Sequence, residues 1–254
     1  MEIKRILLTG DDGYNSLGIR VLCEVLKDKY ELFIVATKRQ QSAVGGLLTM
    51  SKDPHWEKTK VDGIDAISVD GSPVDCMEFA QGYFDKKFDL IISGINWGEN
   101  VTHSIISSGT FCAGVRGVGV GVAPRAVVMS LVTNSENFLR NHSSDDSIED
   151  FIKYPGEAVK MVLDGCIENN FYGSKYVNVN FPDKPSSEVK ITRVAEDITR
   201  YWSYPVRIDE KKGIFSAPSS TYSSNLETNV EYDSGALSAG FISVSPIRKV
   251  FGGK

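Results

Sequence analysis

Along the chain, apolar and polar positions fall into short segments whose period keeps changing. Arg5 to Thr9 is a mostly apolar run of strand length, and Ile19, Leu22 and Leu26 then recur with the i, i+3, i+7 spacing of a helix that buries one face. "ELFIVAT" (Glu31 to Thr37) predicts the next strand, whereas Leu47 to Val69 shows no clear period. "GSPVDCMEFAQGY" then opens a helix: Ser72 stands at the N-cap, Pro73 at the first helical position, and Asp75 where a capping box needs its acid. "FDLIISGI" and "RAVVMSLV" are apolar on both faces, as central parallel strands are. Between them "FCAGVRGVGVGV" reads as a glycine-rich crossover helix.

This alternation predicts an α/β fold, a Rossmann-like doubly wound and mostly parallel sheet. Asn134 to Asp150 is a polar connection, and Pro155 interrupts or starts the helix after it. Beyond about Ser186 the pattern changes to β-rich segments and polar turns such as "SSTYSSNLE" (Ser219 to Glu227). The chain therefore divides into a Rossmann-like core, 1–185, which is the part expected to be catalytic if the chain is an enzyme, and a β-rich C-terminal segment, 186–254. In that segment Tyr222, Tyr232, Phe241, Ile242 and Val244 stand amid polar turns, which predicts an arm exchanging contacts with a second subunit.

Composition narrows the setting. With 254 residues, 41% of them hydrophobic, the chain can bury a large core. A formal net charge of -5 offers no general cationic surface for a phosphate backbone, so structural nucleic acid is not an expected partner. Cys23, Cys76, Cys112 and Cys166 lie far apart with no CxxC pair, which favours single thiols over a disulfide or zinc framework. The start, "MEIKRILLTGDD", has too short an apolar run for a signal peptide, and no segment has the length of a membrane span. A cytoplasmic protein is the expectation.

The candidate chemistry sits where strands end. In an open parallel sheet ligands collect beyond the carboxyl ends of the strands, and Asp11 and Asp12 in "ILLTGDDGYNSLG" follow the first strand directly. Two adjacent carboxylates repel unless a cation sits beside them, so a hard divalent metal is the economical explanation. A helix-capping turn around Gly13 is the structural alternative. Ser42 follows the second strand and Asn96 closes "SGIN"; carboxylate, amide and hydroxyl oxygens suit magnesium, manganese or calcium better than zinc. His55, His103 and His142 show no ligand spacing. In "ISSGTFCAGVRG", Ser107, Ser108, Gly109 and Thr110 lead into the crossover helix, where backbone N–H groups and hydroxyls form an anion site. Gly117, Gly119 and Gly121 fit close helix packing better than a dinucleotide fingerprint.

Taken together, "GDDGYNSLGI", "SAVGGLLT", "DGSPVDCMEFA", "DLIISGINWGEN", "SSGTFCAGVRG", "VNVNFPD" and "GFISVSPI" resemble the SurE (survival protein E) nucleotidases, in that family's order and over nearly the whole chain. The resemblance implies a metal-dependent phosphatase acting on 5′- or 3′-nucleoside monophosphates, with a C-terminal arm used in homodimer or homotetramer assembly. It implies one divalent cation (Mg, Mn or Ca) held by Asp11, Asp12, Ser42 and Asn96. Asp11 and Asp12 are then also the catalytic residues, and Asn96, Ser108, Gly109 and Thr110 contact substrate phosphate. The family usually has Asn before the paired aspartates, where this chain has Gly10. Thr37 replaces a common Pro, Gly45–Gly46 a frequent Gly-His pair, and "VTHSII" lacks the Gly and Asp often found there. Two other acidic-site classes fit less well. A receiver domain needs a phosphoacceptor such as Asp53 at a third strand's end, and a haloacid-dehalogenase phosphatase needs Asp-x-Asp, where position 13 is Gly.

Overall fold

A computed structural model describes residues 2–133, 140–203, 206–216 and 221–248. Parts of the expected polar connection (134–139) and of "SSTYSSNLE" (219–220) lie outside the described residues. The elements run β1 (Arg5–Thr9), α1 (Leu17–Leu26), β2 (Glu31–Thr37), β3 (Trp56–Val61), β4 (Ile64–Val69), α2 (Pro73–Tyr83), β5 (Leu90–Trp97), α3 (Gly109–Gly119) and β6 (Ala126–Leu131). After the short turn α4 (Glu149–Phe151) come α5 (Glu157–Glu168), β7 (Tyr176–Phe181), β8 (Val189–Ile191), β9 (Trp202–Ser203), β10 (Arg207–Asp209), β11 (Ile214–Ser216), β12 (Thr221–Tyr222), α6 (Asp233–Ser238) and β13 (Ile242–Ile247).

Nine strands form one sheet in the order β3-β4-β2-β1-β5-β6-β7-β13-β8. Its centre, β4 through β7, is parallel, while β3 and β13 run antiparallel to β4 and β7. Consecutive residues of the central strands face opposite cores, and both cores are closed. Ile6, Leu8, Ile34, Leu90 and Ile92 pack on the side of α1 and α5; Leu7, Val35 and Ile91 pack on the side of α2 and α3. Burial on both faces is why these strands read as continuous apolar runs instead of alternating ones. The fold is the doubly wound, mostly parallel α/β sheet that the pattern predicts.

Two of the expected local devices are present in detail. Ser72 and Asp75 form a reciprocal capping box at the start of α2 with Pro73 in the first turn. Gly117 packs so closely that a β-carbon there would stand 2.4 Å from Ile91 Cδ1 and 2.8 Å from Met77 Sδ, so its role is helix packing on the sheet, whereas a β-carbon at Gly119 would meet nothing within 4 Å and Gly121, at φ +82°, serves the turn after α3.

The stretch with no clear period, Leu47 to Val69, contains a β-hairpin. β3 is a sheet edge whose residues Trp56 to Lys60 stay largely exposed, and exposure on both faces removes the apolar signal. The C-terminal segment is β-rich, yet β8 and β13 belong to the main sheet, with β13 inserted between β7 and β8. Among the described residues only the strand pairs β9 with β12 and β10 with β11 lie apart from it, and Ile242 and Val244, expected in an exchanging arm, are instead core residues of this chain's own sheet.

Candidate active site

The chain leaves β1 on one side for β2 and returns through α2 to β5 on the other, so β1 and β5 flank the point where strand order reverses. Ligands of doubly wound sheets bind in that crevice. Asp11 and Asp12 follow β1, and Asn96 lies near the end of β5, beyond a register shift between Ser93 and Asn96 against β6. Gly18 lets α1 press against this part of β5, since a β-carbon there would meet Ile95 O at 1.9 Å.

Asp11 is 3% exposed and Asp12 7%. The Thr110 hydroxyl donates to Asp11 Oδ1, and the Thr110 N–H donates to Oδ2 at 3.1 Å. The carboxylate thus caps the N-terminus of α3, where negative charge is favoured. Gly109 permits this approach, because any β-carbon there would stand 2.8 Å from Asp11 Oδ2. Asp12 Oδ2 accepts from the Trp97 N–H at 2.9 Å. Burial pushes the Asp11 carboxyl above the usual range against the pull of these donors. Asp12 is raised well above it, first by burial and then by the neighbouring Asp11 charge. Among the described residues no Lys or Arg forms an ion pair with either carboxylate.

Asp11, Ser42, Asn96 and Ser108 line one cavity of about 220 Å³, together with Ala43, Glu99, Asn100, Ser104, Ser107 and Trp202. Ser42 Oγ accepts from Gln40 Nε2 at 2.5 Å, and Ser108 Oγ accepts from the Phe111 N–H at 3.1 Å, so both hydroxyl protons remain free to donate. Asn96 donates through Nδ2 to Gly98 O at 2.6 Å, which leaves its Oδ1, 3.2 Å from Thr110 Oγ1, as an oxygen ligand. The Gln41 N–H donates to Asp11 O at 2.6 Å and the Gly45 N–H to Ser107 O at 2.9 Å, fastening the Ser42 loop to both neighbours.

Of the residues expected to contact phosphate, Asn96 and Ser108 face the cavity. Gly109 and Thr110 lie against Asp11, and Thr110 gives its N–H and hydroxyl to that carboxylate. Asp12 is not among the cavity's lining residues; it adjoins Asp11 in the chain and fastens to β5. Asp53 is exposed in the loop that leads into the amino end of β3, not at the carboxyl end of a strand. His103 is exposed, and His142, half-buried, accepts from the Leu17 N–H at 3.1 Å, a contact that suits a neutral ring whose pKa burial pushes down to about 4. The sequence reading missed Glu99, Trp202 and the two tyrosines that hold Glu99, Tyr201 and Tyr222; an acidic residue three positions after Asn96 was the available signal.

Two buried adjacent carboxylates, an amide oxygen and a serine oxygen fit a hard divalent cation better than a thiophilic one. Among the described residues no group of three or more His, Cys, Asp or Glu side chains is gathered that could hold a metal ion. Fold and site define a doubly wound α/β protein with an acidic pair at the switch point. The sequence model of Survival protein SurE matches residues 6–204, and the chain belongs to the SurE family. It is 31% identical over 255 residues to a 5′-nucleotidase SurE of Carboxydothermus hydrogenoformans, covering 96% of this chain and 89% of that one. A 5′-nucleotidase SurE of Marinomonas sp. is 32% identical over 245 residues, covering 96% and 91%. A crystal structure of the SurE protein from Aquifex aeolicus superposes with a TM-score of 0.71 at 28% identity, covering 96% of this chain and 93% of that one.

Proposed function

We propose that the chain is a phosphomonoester hydrolase of the 5′-nucleotidase type, converting 5′- and/or 3′-nucleoside monophosphates to nucleoside and phosphate with one divalent cation per subunit. The observation that carries this reading is the meeting of Asp11 with Ser42, Asn96 and Ser108 around one cavity, Asp12 beside it, in a member of the SurE family. Asp11, Asp12, Ser42 and Asn96 would hold the cation, with Mg, Mn and Ca as candidates. Once bound, it supplies Lewis acidity toward a phosphoryl oxygen and toward water.

The chain's own groups do the rest. The free hydroxyl protons of Ser42 and Ser108 donate to phosphoryl oxygens, and the N-terminal end of α3 favours the negative charge that builds up there. Thr110 fixes Asp11 in one rotamer. The one oxygen of the pair that neither Thr110 nor Trp97 engages, Asp12 Oδ1, takes the proton of the attacking water, and the departing nucleoside oxygen is protonated in turn. Phosphate release from a nucleotide panel, after chelation and separate return of magnesium, manganese, calcium and zinc, tests this. An unchanged rate after chelation sinks the cation, and no release from any nucleotide with any cation sinks the nucleotidase.

Assembly is the second part of the proposal. The β10–β11 hairpin and the residue before it expose Val206, Ile208, Ile214 and Phe215, which supports an arm that docks on another copy in a homodimer or homotetramer. Sedimentation at micromolar concentration should show at least a dimer; a strict monomer removes this reading. All four cysteines are free thiols, which supports a reducing, cytoplasmic setting, and no helix among the described residues is long and apolar enough to cross a membrane.

A further inference from the structure

Glu99 is a buried carboxylate of the cavity that neither the acidic pair nor the hydroxyl donors explain. It is 6% exposed, and its Oε1 accepts from the hydroxyls of Tyr201 and Tyr222, each at 3.1 Å. Among the described residues the tyrosine hydroxyls are the side-chain donors to this carboxylate, both on Oε1. Its neighbour Asn100 is spent on the fold: its N–H donates to Asn180 Oδ1, its Nδ2 to Ser130 Oγ, and its carbonyl accepts from Asn178 and Asn180. Glu99 is thus held from behind by the C-terminal segment and lines the same cavity as Asp11, Ser42 and Ser108.

A carboxylate repels phosphate, so within a phosphomonoester site Glu99 belongs to the uncharged part of the substrate. Sugar hydroxyls are the donors a nucleoside offers, and an acidic side chain is a recurring partner of the ribose 2′-hydroxyl. Trp202 lines the same cavity, its ring stacked on Tyr222 with centroids 5.4 Å apart, an aromatic neighbour that a nucleoside suits and a bare alkyl phosphate does not. Resting on the nucleotidase reading, we propose that Glu99 is a specificity-determining residue that accepts a hydrogen bond from the substrate's 2′-hydroxyl and so selects ribonucleotides over deoxyribonucleotides.

The test compares kcat/KM for 5′-AMP, 2′-deoxy-5′-AMP and p-nitrophenyl phosphate on the full chain with its best cation. The parent should prefer AMP over its deoxy analogue by about tenfold or more, the worth of one hydrogen bond to a charged group. Glu99→Met, similar in length and without an acceptor, should bring the ratio to within about twofold of one. If that variant fails to fold, Glu99→Gln decides: it keeps an acceptor for the tyrosines and should lower the ratio by about threefold, as a neutral group replaces a charged one. A parent ratio near one, or a ratio unchanged in a folded variant, overturns the role of Glu99 alone. Turnover of p-nitrophenyl phosphate with none of either nucleotide overturns the nucleotidase reading and this inference with it.

Discussion

Two of the corners where this molecule buries carboxylates are built on opposite plans. At the start of α6, Asp233 is fully buried and surrounded by backbone donors: Oδ1 accepts from the N–H groups of Ala195 and Ser234 at 3.0 and 2.8 Å, Oδ2 from that of Thr102 at 2.9 Å. After β1, Asp11 and Asp12 stand side by side with three donors spread over two carboxylates, and Asp11 opens into a cavity that it shares with Ser42, Asn96, Ser108 and a further acid, Glu99. Burial raises both sets, Asp233 to about 6. Asp233 ties three segments of chain together and meets no like charge. The acidic pair keeps an unresolved repulsion that a cation would relieve. A buried acid wrapped in N–H groups is a structural tie, whereas a buried acid set against another acid carries the repulsion on which the proposed cation site rests.

Removing one charge from each corner should therefore have opposite signatures, and the largest effect belongs to the pair. Asp12→Asn keeps a carbonyl oxygen for the Trp97 N–H and abolishes the repulsion with Asp11. On metal-stripped protein its melting temperature should equal or exceed the parent's, while AMP hydrolysis falls about a hundredfold or more. The cation-induced stabilisation of the parent, about 2.7 kcal/mol at a hundred times the dissociation constant, should nearly vanish. If Asp12→Asn kept both hydrolysis and cation stabilisation, the two aspartates would revert to a capping turn.

At the other corner, Asp233→Ala leaves the Thr102, Ala195 and Ser234 N–H groups without their acceptor. Urea unfolding should show a loss of about 3 kcal/mol, with specific activity of the folded fraction far less affected than in Asp12→Asn. A stability loss under about 1 kcal/mol would break the contrast.

The same corner carries a pH signature. Asp233 titrates at about 6 when folded against 3.8 for the free side chain, so between these values the native state holds a proton that the unfolded chain has released. Its contribution to stability is complete below about pH 4, declines as pH rises through 6, and is level above that. In Asp233→Asn this decline, on the order of 2 kcal/mol, should be missing, so the difference between parent and variant stabilities from urea curves should change by that amount over pH 4 to 7. A parallel pair of profiles would show that Asp233 does not titrate there.

Much of this contrast was legible in the sequence on one side and hardly at all on the other. Asp11 and Asp12 announce themselves because strand, acid pair and glycine are contiguous, and Ser42, Asn96 and Ser108 each follow an apolar run that fixes their place at a strand or helix end. The capping box at Ser72 is local in the same way. Glu99 meets Tyr201 and Tyr222 only through the path of the C-terminal segment, over more than a hundred residues, and no spacing encodes that. Edge strand β3 was invisible because its side chains face water on both sides, and β13 hid its place inside the main sheet because the helices and loops before it break the βαβ rhythm. What the sequence could not foretell in the site was division of labour: Thr110 serves Asp11, and Ser108 serves the cavity.

The smallest expected effect sharpens the acidic corner from its rim. Gly10 stands where the family usually has Asn, and a glycine so close to a tight turn raises the question whether any side chain could be carried there. Its φ is not in the left-handed region, and a β-carbon would lie 3.8 Å from Gly94 N, an ordinary contact. Gly10→Asn should therefore fold, without the strain that a substitution at Gly13, whose φ is +102°, would bring. The added amide changes no proposed cation ligand but places a donor beside the acidic pair, so kcat on AMP should rise about two- to fivefold with the cation's half-saturation unchanged, the gain of one modest hydrogen bond to the reacting group. The counter-outcome is equally readable: a well-folded Gly10→Asn with lower turnover would mean that Ser42 and Ser108 already saturate the phosphoryl oxygens, and that the space beside Gly10 is used by substrate or water.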